Sequence, residues 1–134
     1  MGFAYEVVCE RCGKRVKLAW GLSYAFGWGN PELIGWIKDG KYGKKAKEAY
    51  ESHENALSCL DNHPFICGCG YLKTYNNLTV MSNDLSGPEI YFRTEHRCPR
   101  CRKKMRPLED GERIRCPDCR GRMTADMRTE MMID

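Results

Sequence analysis

Four close cysteine pairs, several alternating apolar stretches and one segment of helical periodicity predict a small α+β fold for this 134-residue chain. The cysteines decide most of it. Eight of the nine form the pairs Cys9 and Cys12, Cys67 and Cys69, Cys98 and Cys101, and Cys116 and Cys119. A Zn²⁺ ion holds thiolates at about 2.3 Å in a tetrahedron, so two sulfurs on one ion sit within ~4 Å of each other. Two cysteines separated by two residues reach that distance when the chain turns sharply between them. Two such turns, brought face to face, complete a four-sulfur cage. The expectation is two four-cysteine sites and two Zn²⁺ ions per chain.

Spacing along the chain joins the pairs in order. Cys98-Pro-Arg-Cys101 and Cys116-Pro-Asp-Cys119 are fourteen residues apart, enough for two short strands and a turn. Asp110-Gly111 is a good hairpin dipeptide, and Pro99 and Pro117 pre-set the backbone of each knuckle. This is the sequence pattern of a zinc ribbon. The other site joins Cys9-Glu-Arg-Cys12-Gly13 to Cys67-Gly-Cys69-Gly70. Gly13 can take the positive φ wanted after the second ligand. Residues i and i+2 of a strand share a face, and Gly68 permits the bend that brings Cys67 and Cys69 together. Cys59 or His63 replacing one of these two is the alternative.

Two ribbons follow from this arrangement, 1–88 and 89–134. Residues 3–8 read as a strand entering the first knuckle. Val16, Leu18 and Trp20 alternate along its hairpin partner. Fifty-four residues then separate the halves of the first site, where about fifteen would serve. A helical insertion, about 21–62, accounts for them. An aromatic, glycine-rich loop, 20–29, leads into it, and the two together hold all three tryptophans, Trp20, Trp28 and Trp36. The tryptophans read as a small core, with a pocket at the helix start as the sharper reading. Asn30-Pro31 is a helix start, giving a short helix over 31–38 that Gly40 ends. A second helix is expected over about 44–60, with Ala46, Ala49, Tyr50, His53, Leu57 and Leu60 at helical spacing. Cys59 then falls on its apolar face as a small core residue. Beyond Cys69, residues 71–75 and 78–81 read as strands turned by Asn76-Asn77. Residues 82–88 form a boundary loop, and 89–97 a strand into the second ribbon. Met123, Met127 and Met131 suit one stripe of a short helix, with a continuing strand as the competitor.

Charge narrows the function classes. The formal net charge is +4, but each filled four-thiolate site carries −2, so two sites cancel it. The basic pI is then poor evidence for nucleic-acid binding by the whole chain. The distribution is uneven, however: residues 93–128 hold twelve Lys or Arg against six Asp or Glu. Arg100, Arg102, Lys103, Lys104, Arg106, Arg113 and Arg115 are candidates for contact with nucleic acid or a protein of nucleic-acid machinery. Balancing the thiolates is the simpler role for these side chains. An odd cysteine count fits a secreted disulfide framework badly. No apolar h-region follows the start, and no apolar run approaches ~18 residues. A cytoplasmic chain with reduced thiols is expected.

Catalysis has little support. His53, His63 and His96 lie in no recognisable nucleophile or zincin motif, and four cysteines close the shell that a catalytic zinc keeps open. Glu109-Asp110 reads as a plain turn. The expected function is a non-enzymatic zinc-binding module that engages nucleic acid or its machinery through the basic second ribbon. The alternatives are a protein-interaction adaptor that uses the aromatic insertion, and a rubredoxin-like electron carrier, since four thiolates also suit iron.

The order Cys9-x-x-Cys12-Gly13, Gly40-Lys-Tyr-Gly43, Cys67-x-Cys69-Gly70, Cys98-Pro-x-Cys101 and Cys116-Pro-x-Cys119 resembles a group of small bacterial zinc-ribbon proteins over nearly the whole chain. The second ribbon alone is similar to the broad class found in transcription factors and RNA polymerase subunits. It differs from the usual Cys-x-x-Cys-Gly knuckle in having Arg102 after one pair and Arg120-Gly121 after the other. The resemblance implies two small rubredoxin-like ribbons, the first interrupted by helices, and metal binding. It implies no activity.

Overall fold

A computed structural model describes residues 2–22, 30–84 and 86–133 of the chain. They form a mostly antiparallel β-structure with two short helices, in the order β1 (Gly2–Cys9), β2 (Arg15–Leu22), α1 (Pro31–Lys38), α2 (Lys44–Glu51), β3 (Leu57–Ile66), β4 (Leu72–Met81), β5 (Ile90–Arg93), β6 (Arg106–Pro107) and β7 (Met123–Ile133). Strand neighbours are hydrogen-bonded in the order β5-β4-β3-β2-β1-β7, and β6 pairs with β3. No helix among the described residues is long and apolar enough to cross a membrane. The chain divides into two compact units, and both β3 and β4 pass from one to the other.

The first unit holds residues 2–21, Asn62–Tyr75 and Glu95–Ile133. In β1, Val7 and Cys9 point inward, and β2 answers with Leu18, flanked by half-buried Val16 and Trp20. The expected alternation of Val16, Leu18 and Trp20 therefore sets the face. Ile66, Leu72, Leu108, Cys116 and Met123 complete this core. Each fully buried aliphatic side chain contributes about 1.5–3 kcal/mol, which is modest for so small a body. β7 runs antiparallel to β1, with Cys9 opposite Met123 and Val7 opposite Ala125. A bulge between Ala4 and Glu6 shifts the register. Thr129 stitches it, its hydroxyl accepting the Glu6 N–H and donating to the Asp126 carbonyl.

The second unit holds Leu22–Asp61 and Asn76–Thr94. Its core is Leu33, Ile37, Ala46, Leu60, Leu78 and Val80, with Trp36, Tyr42 and Tyr50 packed around it. Helix α1 begins as its sequence indicates: Asn30 Oδ1 accepts the N–H groups of Glu32 and Leu33, and Pro31 opens the helix. The start of α1 is thus capped by its own side chain. His53 stacks on Tyr91 with ring centroids 3.6 Å apart.

Several expectations change. Helix α2 stops at Glu51, capped by Ser52, and Asn55 takes a positive φ of 58°. Leu57, Cys59 and Leu60 therefore lie on β3, where β-strand pairing overrides their helical spacing. Asn76-Asn77 does not turn the chain, because β4 runs unbroken through it with Asn77 buried. Of residues 89–97, expected as one strand, only Ile90–Arg93 extend, as the short β5 beside β4. Met123, Met127 and Met131 lie on strand β7, not on a helix. Residues 23–29 of the aromatic loop, Trp28 included, lie outside the described residues. The boundary near residue 88 is not where the units divide. Residues 89–134 do not stand apart as a ribbon, because β7 pairs with β1 and β6 pairs with β3.

Candidate metal centres

All four cysteine pairs form the same local knuckle. The carbonyl of each first cysteine accepts the N–H of the residue that follows the pair: Cys9 from Gly13 at 3.0 Å, Cys67 from Gly70 at 2.9 Å, Cys98 from Arg102 at 2.8 Å and Cys116 from Arg120 at 3.0 Å. The N–H of each first cysteine donates one residue further on, to Lys14, Tyr71, Lys103 and Gly121. This closure needs a left-handed residue after the pair. Gly13 and Gly70 supply it at φ of 77° and 100°, and Arg102 and Arg120 supply it at 65° and 66°. The two arginines thus do in backbone terms what glycine does elsewhere, at the cost of an unfavourable conformation for an L-residue. The Cys67-x-Cys69 pair makes the same closure with one residue fewer.

The knuckles assemble into two clusters, and they do not pair in sequence order. Cys9, Cys12, Cys116 and Cys119 form one, and Cys67, Cys69, Cys98 and Cys101 the other. In the first, the outer centre, Sγ atoms approach to 3.4 Å between Cys9 and Cys119 and 3.6 Å between Cys12 and Cys116. In the second, the inner centre, the distances are 3.3 Å for Cys67 and Cys101 and 3.6 Å for Cys69 and Cys98. Within each cluster all four sulfurs lie within 4.8 Å of one another. A tetrahedron with ligands at about 2.3 Å has edges of about 3.8 Å. Both sets fit one tetrahedral ion with small adjustments, and four soft sulfur donors suit a thiophilic metal.

Strand register explains the exchange of partners. β1 ends at Cys9, and β7 follows Cys119 and pairs back along β1. That brings the last knuckle to the first, reinforced by the Glu10 N–H donating to the Arg122 carbonyl at 2.9 Å. β3 ends just before Cys67, and β6 follows Cys101 and pairs Ile66 with Arg106. That brings the third knuckle to the second. The hairpin expected to join the last two pairs is absent as such. Residues 97–104 and 115–122 each close locally, through Arg97 with Lys104 and Arg115 with Arg122. Asp110-Gly111 does turn the chain, with Gly111 at φ of 76°.

Backbone amides aim at the sulfurs. The N–H groups of Arg11 and Cys12 reach Cys9 Sγ, those of Arg100 and Asp118 reach Cys98 and Cys116, and that of Gly121 reaches Cys119, each at 3.4 Å. The Cys12 N–H, helped by that of Arg11, brings the Cys9 thiol down to about 6. Burial opposes the same effect at Cys98, yet the Cys101 and Arg100 amides still lower it to about 7. Such donors stabilise thiolate, the form that ligates metal, although at Cys12 and Cys67 the Lys14 and Cys69 amides are outweighed by the facing Cys116 and Cys101 sulfurs and by burial, which push these thiols up to about 12. Cys59 and His63, the alternative ligands, belong to neither cluster. Cys59 is buried in the second unit, where desolvation pushes its thiol up to about 11. His63 Nε2 donates to the Leu108 carbonyl at 3.0 Å.

Gly121 was not singled out by its sequence context, yet it is the tightest position of the outer centre. A Cβ there would stand 2.8 Å from Cys9 Sγ and 2.9 Å from Arg11 Cβ. The knuckles of the two centres also touch. Arg100 donates to the Pro117 carbonyl at 2.8 Å and to Asp118 at 2.9 Å. Asp118 also pairs with Lys14 at 3.0 Å, and Arg120 donates to the Cys69 carbonyl.

The basic residues divide into two groups. Arg100 is held by Asp118, Lys104 by Glu95 at 3.1 Å and Arg106 by Glu112 at 2.5 Å. Arg102, Lys103, Arg113 and Arg115 are exposed, and no ion pair is seen for them among the described residues. Glu112 also accepts the Glu109 N–H, which makes Glu109-Asp110 part of an ordinary turn. No family model, curated protein or solved structure matches this chain.

Proposed function

We propose that this chain is a non-enzymatic zinc-binding module whose two centres are zinc ribbons that share partners, and that it engages nucleic acid or its machinery through basic side chains. The observation that carries the metal reading is the closure of two four-sulfur clusters. Each has donors of the right type at tetrahedral spacing, with amides supporting the thiolate. Four protein ligands leave no position for a substrate, so the ions serve the fold. Metal binding to such sites is itself folding free energy, which suits a chain with small apolar cores. Support for the nucleic-acid reading comes from exposed Arg102, Lys103, Arg113 and Arg115, which lie beyond the charges already paired.

Elemental analysis tests the metal reading and the pairing together. The wild-type chain should carry two zinc ions. Replacing Cys9, Cys12, Cys116 and Cys119 by Ser should remove one ion and leave one. If the pairs joined in sequence order, that variant would break both sites and bind none. Iron in place of zinc would move the reading to an electron carrier. Anisotropy of a labelled single-stranded oligonucleotide, measured across a salt series, tests the second half. Silence at low salt favours a protein-interaction adaptor.

A further inference from the structure

The first unit carries an open cleft of about 430 Å³ whose walls include Tyr5, Glu112, Arg113, Arg115, Arg122 and Met123. Its lining carries three arginines against one carboxylate, with Asp110 at the adjoining turn near enough to act on Tyr5. Glu112 is engaged, with both carboxylate oxygens bonded to Arg106 and one also to the Glu109 N–H. Arg113, Arg115 and Arg122 are exposed, and among the described residues no carboxylate pairs with them. Arg115 and Arg122 are directly opposite each other across an antiparallel bridge. Like charges in that position destabilise a pair of strands. Arg113 lines the same cleft as these two. The sulfurs take their hydrogen bonds from backbone amides, and none is seen from these three guanidinium groups among the described residues. A bound anion converts the repulsion into attraction, and guanidinium groups grip phosphate with paired donors.

The cleft has an aromatic wall that continues outside it. Tyr5 stacks on Trp20 with centroids 5.3 Å apart, and Trp20 stacks on Phe3 at 5.2 Å. Phe3 and Tyr5 are themselves 6.4 Å apart and nearly parallel, at 12°. Phe3 is 42% exposed, although it lies opposite Trp20 in the β1–β2 register. Of these rings only Tyr5 lines the cleft with the arginines, so it joins the apolar surface of Trp20 and exposed Phe3 to the positive charge. Inorganic phosphate would use only the arginines, and an apolar ligand only the rings. A strand of several nucleotides uses both.

We infer that this cleft binds single-stranded nucleic acid, with Arg113, Arg115 and Arg122 on the phosphates and the Phe3–Trp20 rings as the platform for a base. This rests on the proposed function and deepens it. The contact surface moves from the residues around Cys98 and Cys101 to the strands beside the outer centre. A duplex keeps its bases stacked on each other, and only an unpaired strand offers a base face to a ring.

The test uses the full, metal-loaded chain and a fluorescein-labelled twelve-nucleotide oligouridylate, with oligothymidylate, a duplex of equal length and inorganic tripolyphosphate as comparisons. The combined change Arg113→Ala, Arg115→Ala and Arg122→Ala should weaken oligonucleotide binding at least about tenfold. It should also flatten the salt slope by about 2, since each phosphate neutralised on a single strand contributes about 0.7. Phe3→Ala should weaken oligonucleotide binding about five- to tenfold and leave tripolyphosphate unaffected. Both variants should retain two metal ions. Should the triple variant lose metal, Arg115→Glu alone repeats the measurement with one exposed change. A wild-type chain that binds the oligonucleotide while the arginine variants match it overturns this site and leaves the broader reading standing. A wild-type chain that binds no nucleic acid overturns both. Duplex binding as tight as single-strand binding overturns the stacking role.

Discussion

Gly121→Ala offers a sharp test of the outer centre. The added methyl would lie 2.8 Å from Cys9 Sγ, 2.9 Å from Arg11 Cβ and 3.3 Å from Cys119 Sγ. Non-bonded heavy atoms prefer about 3.5–4.0 Å, so the Cys9 sulfur or the knuckle behind it must retreat by about 0.7 Å. A metal shell accepts displacements of only about 0.2 Å. Moving the backbone is no easier, because the Gly121 carbonyl holds the Cys116 N–H at 2.7 Å. Overpacking of this kind costs about 1–3 kcal/mol, which corresponds to a loss of metal affinity of roughly ten- to a hundredfold at that centre. Competition against a chromophoric zinc chelator reads it directly. One of the two ions should transfer at lower chelator concentration, and the other should behave as in wild type. Gly68→Ala is the control, since a Cβ there meets nothing within 4 Å. Retention of both ions at wild-type affinity by the Gly121 variant would refute the geometry of the outer centre.

Further outcomes follow from other residues. Arg102→Gly and Arg120→Gly relieve left-handed backbone at φ of 65° and 66°, and each should stabilise the metal-loaded chain by up to about 1 kcal/mol in chemical denaturation; destabilisation would show that the side chains matter more than the backbone. Asp126 is bonded by Arg128 and then by Arg15, which lowers its carboxyl from the ordinary 3.8 to about 2. Its contribution to stability is therefore complete above the ordinary value and lost as pH falls through about 2. Carboxyl ¹³C NMR should give it the lowest midpoint among the aspartates outside the knuckles, and an ordinary midpoint would count against these pairings. The Ser58 hydroxyl is buried and finds no hydrogen-bond partner among the described residues. Ser58→Ala should be neutral or stabilising by about 1 kcal/mol in urea unfolding, and a loss of more than that would point to a bonded hydroxyl.

The eight cysteines of the two clusters were legible in the sequence because tetrahedral thiolate geometry has a short-range signature. Each knuckle is local, and so are its cysteine spacing and its closing turn. Asn30-Pro31 was legible for the same reason, since a capped helix start involves only its neighbours. Which knuckles share a centre depends on strand pairing over a hundred residues, and no local pattern encodes that. A signal was nonetheless present. The residues after Cys119 can extend as a strand, and a strand needs a partner. Only their reading as a methionine stripe hid the match with β1. Leu57 and Leu60 misled for the opposite reason: their spacing suits a helix, but Asn55 turns the chain and β3 takes them. Arg102 and Arg120 looked like departures from the glycine knuckle, yet an arginine can be held in glycine's conformation when the surrounding hydrogen bonds demand it.

Nested pairing sets an order of events during synthesis. The inner centre closes over separations of 34 and 29 residues, the outer over 110 and 104. The longer loop costs only about 1 kcal/mol more to close, so equilibrium barely distinguishes the two. Time on the ribosome does. Once Cys101 has emerged, the growing chain owns every ligand of one ion and half of those for the other. Cys9 and Cys12 must wait, reduced and unmatched, until Cys119 arrives and the last strand lies down along the first. The outer set of four cysteines is thus complete only when the last strand is. A chain interrupted anywhere between Cys101 and Cys116 would own the complete inner set of cysteines only, with β1 paired to β2 and lacking β7 along its other edge.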